Sequence, residues 1–364
     1  MKNSELFTSV TVGGTALKNR IVMAPMTRCR ATGNLPNELM VEYYKLRSDA
    51  GLIITEGTSP SPNGLGWTRM PGIYSEAQAE AWRNVSAEVH KAGGKIFMQL
   101  MHCGRISHPL NMPKGAWIIS PSPVKAAGKA WTDEKKYQDF PTPKEMDDED
   151  FLLTLAEYIA GAQNAISVGF DGVEINAADG LLLSQFLSPQ TNLRTDQYGG
   201  NVENRCRFVL EVVGAVADVI GKERTGIYIS PYSIARDIAL YPEIESTYGY
   251  LSKQLNHLEI AYIHLVNHPL SNRPNTPFAP LEIIKNIRSN FNNTLILSGG
   301  YNKKRAENDI KNGLADLIAF GRKFINNPYL VEHFQKNWIL ADNLNLGLIH
   351  GADEKGYTDY PCYF

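Results

Sequence analysis

Cysteine is scarce in this chain, and its spacing excludes two common uses of the residue. No two of the four cysteines form a CxxC pair or stand at the spacing of a zinc finger; they are Cys29, Cys103, Cys206 and Cys362. Such a pattern favours free thiols in a reducing compartment over a disulfide framework. It also gives no reason to expect a bound metal ion.

Long apolar runs and blocks of like charge are absent as well. No stretch approaches the roughly 20 apolar residues of a membrane span, and the segment MKNSELFTSVTVGG lacks the apolar core of a secretory signal. The 36 Lys and Arg against 38 Asp and Glu give a formal net charge of −2, and no basic run suggests nucleic acid. We therefore predict a cytoplasmic protein that binds neither membrane nor nucleic acid, acts on a small-molecule substrate, and exists as a monomer or homodimer.

What the chain does contain is eight short apolar segments, separated by segments with apolar residues at helical spacing. The predicted strands span residues 20–24, 52–55, 95–100, 172–175, 226–230, 262–266, 294–297 and 317–320. Predicted helices between them include residues 75–92, 150–168, 201–220 and 280–289. Alternating strands and helices imply a parallel sheet, and eight such units favour closure into a (β/α)8 TIM barrel over an open doubly wound sheet. No GxGxxG motif follows the first strand, which further disfavours a Rossmann fold.

Two insertions follow strand ends on the side where barrel active sites lie. Residues 109–146, rich in Pro, Gly, Lys and Trp, come after strand three, and residues 337–364 form a C-terminal extension. Because the loops after the strands surround the mouth of such a barrel, we expect both insertions to wall or cap the active site. Long loops that only pack are the alternative. No linker is visible, so residues 1–364 are predicted to form one α/β domain.

The last pair of strands carries a pattern typical of phosphate binding. Residues 294–328 read TLILSGGYNKKRAENDIKNGLADLIAFGRKFINNP, in which Gly299 and Gly300 end one strand and Gly321 with Arg322 ends the next. Glycine lets a phosphate approach the main chain closely, and arginine adds a charged fork of donors. In eightfold barrels, the loops after the last two strands are the usual phosphate cradle. The alternative is that the glycines only turn tight corners, but the second glycine with its arginine favours phosphate.

Several long blocks of sequence occur in an order and spacing that suit one barrel. They are NRIVMAPMTRCRA (19–31), ITEGT (54–58), QLMHCGRISHP (99–109), GFDGVEI (169–175), QFLSPQTNLRTDQYGGNVENRCRF (185–208), the phosphate unit above, and EKGYTDYP (354–361). In these blocks the chain resembles the Old Yellow Enzyme family of FMN-dependent ene-reductases along essentially its full length. The resemblance implies a flavoprotein built on this barrel, in which NAD(P)H reduces FMN and the flavin passes a hydride to an activated alkene.

The resemblance also implies a largely intact cofactor site. Thr27 matches the residue that hydrogen-bonds the flavin carbonyl and tunes its potential, and Gln99 matches the side chain at the pyrimidine edge. The remaining matches are backbone positions along the ring and the phosphate grip: Pro25, Met26, Gly57, Gly299, Gly300, Gly321 and Arg322. Taken alone, a Thr, a Gln and a Gly after strands are usually structural. On three strand ends that face one mouth, they favour a ligand site.

One flavin contact of the family is missing. Its fifth strand normally reads VGxRLSP, with an arginine beside N1 and O2 of the flavin, whereas this chain reads TGIYISP and places Tyr228 there. Arginine stabilises the negative charge that collects at N1 on reduction, an effect of about 3 kcal/mol in a water-poor site, but tyrosine brings no charge. We therefore expect a lower flavin potential with slower reduction by NAD(P)H, or weaker FMN binding, unless another cation such as Arg236 fills the space.

The substrate positions depart further from the family. After GVEI the family usually has His, two small residues, Asn or His, Gly and Tyr, and its three polar positions are here Asn176, Asp179 and Leu181. Asn176 can still donate a hydrogen bond to a substrate oxygen, an ionised Asp179 cannot, and Leu181 cannot act as an acid. His350, in LIHG where the family has FYGG, is a candidate replacement acid. Water is another source of the proton, and a lone histidine is more often a packed or surface residue.

These changes leave three functional hypotheses open. Met101 and Trp67 stand where tryptophan and tyrosine are frequent in the family, so the pocket is remodelled. The first hypothesis is an NAD(P)H-dependent FMN oxidoreductase with weak enone reduction, whose substrate bears a hydroxyl or amine that can donate to Asp179. The second is a redox-neutral or flavin-assisted isomerase or cyclase, and the third is a non-catalytic barrel that has lost FMN. The matched cofactor positions favour the first.

Overall fold

Eight parallel strands close into a barrel. A computed structural model of the chain describes residues 4–266, 280–342 and 344–361. The strands are β1 (Ile21–Met23), β2 (Leu52–Ile54), β3 (Ile96–Leu100), β4 (Gly172–Ala177), β5 (Thr225–Ile229), β6 (Tyr262–Val266), β7 (Thr294–Ser298) and β8 (Leu317–Phe320). Each pairs with the next along the chain, and β8 pairs with β1 to complete the circle. The predicted TIM barrel is confirmed, and every predicted strand agrees with an observed one to within one or two residues.

Helices follow the strands and pack around the barrel. They are α1 (Glu38–Lys45), α2 (Glu76–Lys91), α3 (Asp148–Ser167), α4 (Leu182–Leu187), α5 (Val202–Ile220), α6 (Ile244–His257), α7 (Leu281–Asn290), α8 (Lys303–Lys311), α9 (Arg322–Asn326) and α10 (Leu330–Lys336). Capping boxes begin α2, at Ser75 with Gln78, and α3, at Asp147 with Asp150, and satisfy backbone N–H groups of the first turn. Among the helices of the described ranges, none has the length and apolar character that a membrane span requires.

The barrel interior holds an apolar cluster and a polar side. Strands β1, β2, β7 and β8 contribute to the apolar cluster, whose members include Val22, Ile54, Ile296 and Leu317, and Phe97 of β3 and Tyr262 of β6 belong to it as well. Strands β3 to β6 instead carry a set of polar side chains into the interior: Gln99, Glu174, Asn176, Tyr228 and His264. Polar groups inside a barrel need partners, and those that remain unpaired are available to a ligand.

The insertion after β3 lies against the mouth of the barrel. It holds a hairpin and a short parallel pair, formed by Lys129–Thr132 with Lys136–Asp139 and by Ile119–Ser120 with Lys144–Glu145. Asn111 Nδ2 donates to the carbonyl of Gly66, in the loop after β2, at 3.0 Å. Arg69 of the same loop forms an ion pair with Asp133 of the hairpin. The insertion therefore contacts the C-terminal ends of the strands, on the predicted side.

Two buried arginines fasten the C-terminal extension to the loop after β1. Arg28 donates to the carbonyls of Ile349 (3.0 Å) and Gly356 (2.5 Å). Arg30 donates to four carbonyls of the extension, those of Leu348, Ile349, Asp353 and Lys355. Both arginines are 0% exposed, and a buried guanidinium without acceptors would be strongly destabilising. The extension thus contacts the barrel mouth through β1, also on the predicted side.

The described cysteines are packed thiols. Cys29, Cys103 and Cys206 are buried and free, which agrees with the prediction of free thiols. Burial raises the pKa of Cys29 and of Cys206 to about 12, so neither is a thiolate at neutral pH. Cys362 lies outside the described residues.

Candidate cofactor and substrate site

A cleft of about 780 Å³ opens at the C-terminal ends of the strands. Its walls come from β1, β5, β6, β7, β8 and the loops after them, and the C-terminal extension closes one side with Ala341, Asp342, Leu344 and Leu346. Seven predicted cofactor residues line it together: Pro25, Met26, Tyr228, Gly299, Gly300, Gly321 and Arg322. The structure therefore brings the two glycine motifs, the β1 loop and the tyrosine of β5 to one concave site of the size that small ligands occupy.

One end of this cleft presents hydrogen-bond donors that the protein leaves unused. Within the described ranges, the backbone N–H groups of Gly299, Gly300, Gly321 and Arg322 donate to no protein acceptor. Among the described residues, the Arg322 guanidinium forms neither an ion pair nor a hydrogen bond, whereas the neighbouring Lys323 is paired with Asp342 at 3.0 Å. A free guanidinium beside free N–H groups is a donor set that fits a phosphate or a similar anion.

The backbone conformation alone also explains why glycine stands at positions 299 and 300. Gly299 and Gly300 have φ angles of +109° and +63°, which L side chains rarely adopt. The turn after β7 therefore requires glycine whether or not a ligand is bound. The free donors, and not the glycines themselves, indicate an anion at this end of the cleft.

A chain of buried hydrogen bonds crosses the polar side of the barrel. Asn176 Nδ2 donates to Gln99 Oε1 at 3.0 Å, and Gln99 Nε2 donates to Glu174 Oε1 at 2.7 Å. The second carboxylate oxygen, Glu174 Oε2, lies 2.9 Å from His264 Nδ1. The Nε2 atom of His264 is buried and has no partner among the described residues. The amide of Gln99 is thus fixed in orientation by strand β4, and Gln99 is not among the residues that line the cleft.

Tyr228 joins this chain to the cleft. Its ring lies edge-on to the imidazole of His264, with the centroids 4.6 Å apart and the planes at 61°. Burial raises the pKa of the Tyr228 phenol well above its usual value, and the charges of Asp179 and Glu174 act in the same direction. The phenol is therefore neutral at neutral pH. Within the described residues its hydroxyl makes no hydrogen bond, so it can donate one to a ligand in the cleft.

The other predicted ring contacts follow β1 and β2. Thr27 is half-buried, and its hydroxyl has no hydrogen-bond partner in the described parts of the chain. Packing requires glycine at position 57, because a Cβ there would lie 2.2 Å from Cε of Met101. The N–H group of Gly57 donates to no described protein acceptor and remains available.

An apolar wall replaces the expected acid of the substrate site. Leu181 is 2% exposed and belongs to one cluster with Leu65, Met70 and Met101. Trp67 packs against the same cluster. The leucine is therefore part of a continuous apolar surface between the loops after β2, β3 and β4, and its own side chain has no proton to transfer.

Asp179 is held by the loop after β5. It has a left-handed φ of +54°, its N–H donates to Ser230 Oγ at 2.7 Å, and its Oδ1 accepts from Ser233 Oγ at 3.0 Å. Its carbonyl accepts a hydrogen bond from the Arg236 guanidinium, which lies 5.0 Å from the ring centroid of Trp67. Arg236 is therefore anchored beside Asp179 and Trp67, which makes it a cation of the substrate side of the mouth.

His350 lies on the exposed surface of the C-terminal extension, next to the two buried arginines. Burial of the imidazole, followed by the charges of Arg28 and Arg30, lowers its pKa to about 4, although a hydrogen bond with the Thr27 backbone acts the other way. The imidazole is consequently neutral at neutral pH.

Comparisons with known proteins agree with this geometry. A sequence model of the NADH:flavin oxidoreductase / NADH oxidase family matches residues 5–341. The chain is 36% identical over 376 residues to 12-oxophytodienoate reductase 7 of Oryza sativa subsp. japonica, covering 99% of this chain and 95% of the relative. The structure of the old yellow enzyme homologue from Zymomonas mobilis superimposes with a TM-score of 0.93 at 36% identity, over 99% of this chain and 100% of the other. Morphinone reductase in complex with tetrahydroNAD gives 0.92 at 38% identity, over 100% and 98%.

Proposed function

Because the chain belongs to the NADH:flavin oxidoreductase / NADH oxidase family and is an FMN-dependent oxidoreductase of the Old Yellow Enzyme type with NAD(P)H as reductant, we propose how its own residues hold the cofactor and select the substrate. Bound FMN supplies hydride transfer between NAD(P)H and an unsaturated small molecule. The observation that carries the assignment of the cofactor site is the donor set left unused at Gly299, Gly300, Gly321 and Arg322.

The donors that we assign to FMN divide into two groups. The N–H groups after β7 and β8, with the Arg322 guanidinium, hold the phosphate. The hydroxyls of Thr27 and Tyr228, the N–H of Gly57 and the amide of Gln99 hold the polar edge of the flavin ring, with the backbone at Pro25 and Met26 along the ring. All of these side chains are neutral, so the ring end of the site carries hydrogen-bond donors without the guanidinium that the family usually places there.

On the substrate side, Asn176 is the donor to a substrate oxygen. One of its two amide N–H groups is bound to Gln99, and the other remains free for a substrate. Asp179 accepts a hydrogen bond from Ser233 and retains lone pairs that can accept from a substrate hydroxyl or amine. The substrate we propose is an unsaturated compound with such a donor group, whose apolar part lies against Met101, Leu181 and Trp67.

Proton delivery is the weak point of the site. Leu181 has no proton to give, and the low pKa of His350 leaves little imidazolium at neutral pH. We propose that water delivers the proton in most turnovers, with the small imidazolium fraction of His350 as the second candidate. Ordinary enone reduction is accordingly slow, because general acid catalysis by a positioned group contributes about 10²–10⁴-fold.

The test measures FMN binding, reduction of the flavin by NADPH or NADH, and reoxidation of the flavin by two enones. Purified protein is incubated with excess FMN, titrated with NADPH and with NADH without oxygen, and then mixed with cyclohexenone or with an enone that bears a hydroxyl. Binding of FMN, bleaching by the nicotinamide, and faster reoxidation by the hydroxyl compound are the expected results.

The variant Arg322→Gln is expected to weaken FMN binding about tenfold or more, since a charged hydrogen bond to the phosphate is lost. Arg224→Gln, an exposed arginine just before β5 at the other end of the barrel, is the matched control and should bind FMN normally. A protein that stays colourless in excess FMN contradicts the cofactor site. Bound FMN that NAD(P)H does not bleach would favour a redox-neutral isomerase instead.

A further inference from the structure

The buried pair of Glu174 and His264 lies directly behind Tyr228, and the proposed function gives it no task. Both side chains are 0% exposed, and Glu174 Oε2 is 2.9 Å from His264 Nδ1. The other carboxylate oxygen is held by Gln99. Every polar atom of the pair is therefore engaged except Nε2 of His264, which is buried and unpartnered within the described residues.

The described groups that face His264 are one carboxylate, two phenols and one aliphatic side chain. Its surroundings are Glu174 on β4, Tyr228 on β5, Tyr262 on its own strand, and the uncharged Ile296 opposite it on β7. Both phenols have pKa values raised well above normal by burial, so they already carry their protons. The more distant Asp179 and Arg236 act on Tyr228 with opposite signs.

The charge balance of the site changes when the cofactor is reduced. Reduction of bound FMN would bring two electrons and one proton as a hydride and would leave a net negative charge, which Gln99 and Tyr228 would face in the proposed function. The Glu174 carboxylate is then a second negative charge in the same buried layer. Like charges in a low-dielectric interior favour the uptake of a proton, and position 228 itself carries a neutral phenol where the family usually has a guanidinium.

We propose that the Glu174–His264 pair takes up one proton from solvent, at Nε2 of His264, when bound FMN is reduced. This inference rests on the proposed placement of FMN. The proton and the hydride together make two protons for two electrons, and the imidazolium so formed stays paired with the Glu174 carboxylate. His264 thereby supplies, only in the reduced state, the positive charge that an arginine would supply in both states.

The test is the pH dependence of the flavin midpoint potential in the holoenzyme. Each proton taken up with two electrons lowers the potential by about 30 mV per pH unit. We expect about 60 mV per unit for the wild type between roughly pH 6 and 8, and about 30 mV for His264→Asn, which keeps a donor to Glu174 but has no site for the proton. His90→Asn is the matched control, because His90 forms an imidazole–carboxylate pair with Asp171 (2.8 Å) away from the cleft, and it should keep the wild-type slope.

Three results would overturn the inference. A wild-type slope of about 30 mV means that no second proton is taken up, and a slope of about 60 mV in both wild type and His264→Asn means that the proton goes elsewhere. Where His264→Asn does not fold, the histidine ring signals of ¹⁵N-labelled holoenzyme decide: one neutral imidazole that becomes protonated on reduction supports the inference, and an unchanged set refutes it. Failure to bind FMN at all would instead overturn the proposed function, and this inference with it.

Discussion

Tyr43 of helix α1 and Tyr357 of the C-terminal extension stack face to face, with ring centroids 4.1 Å apart and planes 7° from parallel. The Arg28 guanidinium lies 5.1 Å from each of the two ring centroids, and its Nη1 donates to the Tyr43 hydroxyl at 2.9 Å. The stack therefore joins the last part of the chain to the first helix, directly beside the loop that carries Thr27.

Tyr357→Ala is expected to destabilise the protein by about 3–5 kcal/mol, since a fully buried aromatic ring and its stacking partner are lost. The free energy of unfolding is measured by denaturant titration of the holoenzyme. Tyr137→Ala is the control, because Tyr137 is 64% exposed, and it should change stability by less than about 1 kcal/mol. Equal losses in the two variants would show that the stack does not fasten the extension.

The barrel could be predicted because its signals are local. Strand and helix periodicity, the glycine pairs and the motif blocks are each contained in a short stretch of sequence, and the closed sheet follows from their number. The phosphate end of the site could be predicted for the same reason, since Gly299, Gly300, Gly321 and Arg322 each stand at the end of a predicted strand.

The pairings inside the barrel could not be predicted in this way. Glu174 and His264 each stand out as an ionisable residue in a buried strand, which is a signal for a partner. Glu174 on β4 and His264 on β6 meet inside the barrel because the sheet curves around β5. No spacing along the chain encodes this contact. Similarly, the orientation of the Asp179 carboxylate depends on Ser233 from another loop, and the need for glycine at 57 depends on the side chain of Met101.

Tyr228→Arg is expected to raise the flavin midpoint potential. A guanidinium beside the pyrimidine edge stabilises the charge of the reduced state by about 3 kcal/mol, which corresponds to about 60 mV for a two-electron couple. Potentiometric titration of the holoenzyme at one pH measures the change, and Tyr228→Phe, which removes only the hydroxyl, serves as the comparison. A potential that does not rise in Tyr228→Arg would mean that the ring edge does not lie beside this strand.

Leu181→Tyr is expected to speed the reduction of cyclohexenone by about 10–100-fold, which is at or below the lower limit of what a positioned acid contributes. The gain is limited because Leu181 is buried in the apolar cluster with Met101, so the new hydroxyl must turn out of that cluster to reach a substrate. Reoxidation of the reduced flavin by enone is the measurement, and Leu193→Tyr, at a 61% exposed leucine, is the control. If Leu181→Tyr gives no gain, the slow reduction of enones is due to Asp179 or Tyr228 and not to the missing acid.

The last prediction concerns His102, at the end of β3, whose imidazole is buried and accepts a hydrogen bond from the Gly104 N–H at 3.1 Å. Burial lowers its pKa from 6.5 to about 3, so the folded protein holds the neutral ring while the unfolded chain binds a proton below pH 6.5. The stability that the neutral ring contributes is therefore complete above pH 6.5 and is lost as the pH falls towards 3. Between about pH 7.5 and 4.5 the loss is about 2–3 kcal/mol.

Other buried groups titrate in the same range with the opposite sign, among them Asp49, whose pKa burial raises to about 6. The comparison with His102→Gln removes their contribution, because they are present in both proteins. The difference in the free energy of unfolding between wild type and His102→Gln should shrink as the pH is lowered from about 7.5 to 4.5, by about 2–3 kcal/mol. A difference that stays constant over this range would mean that the ring is protonated as easily in the folded protein as in the unfolded chain, and that the end of β3 is open to water.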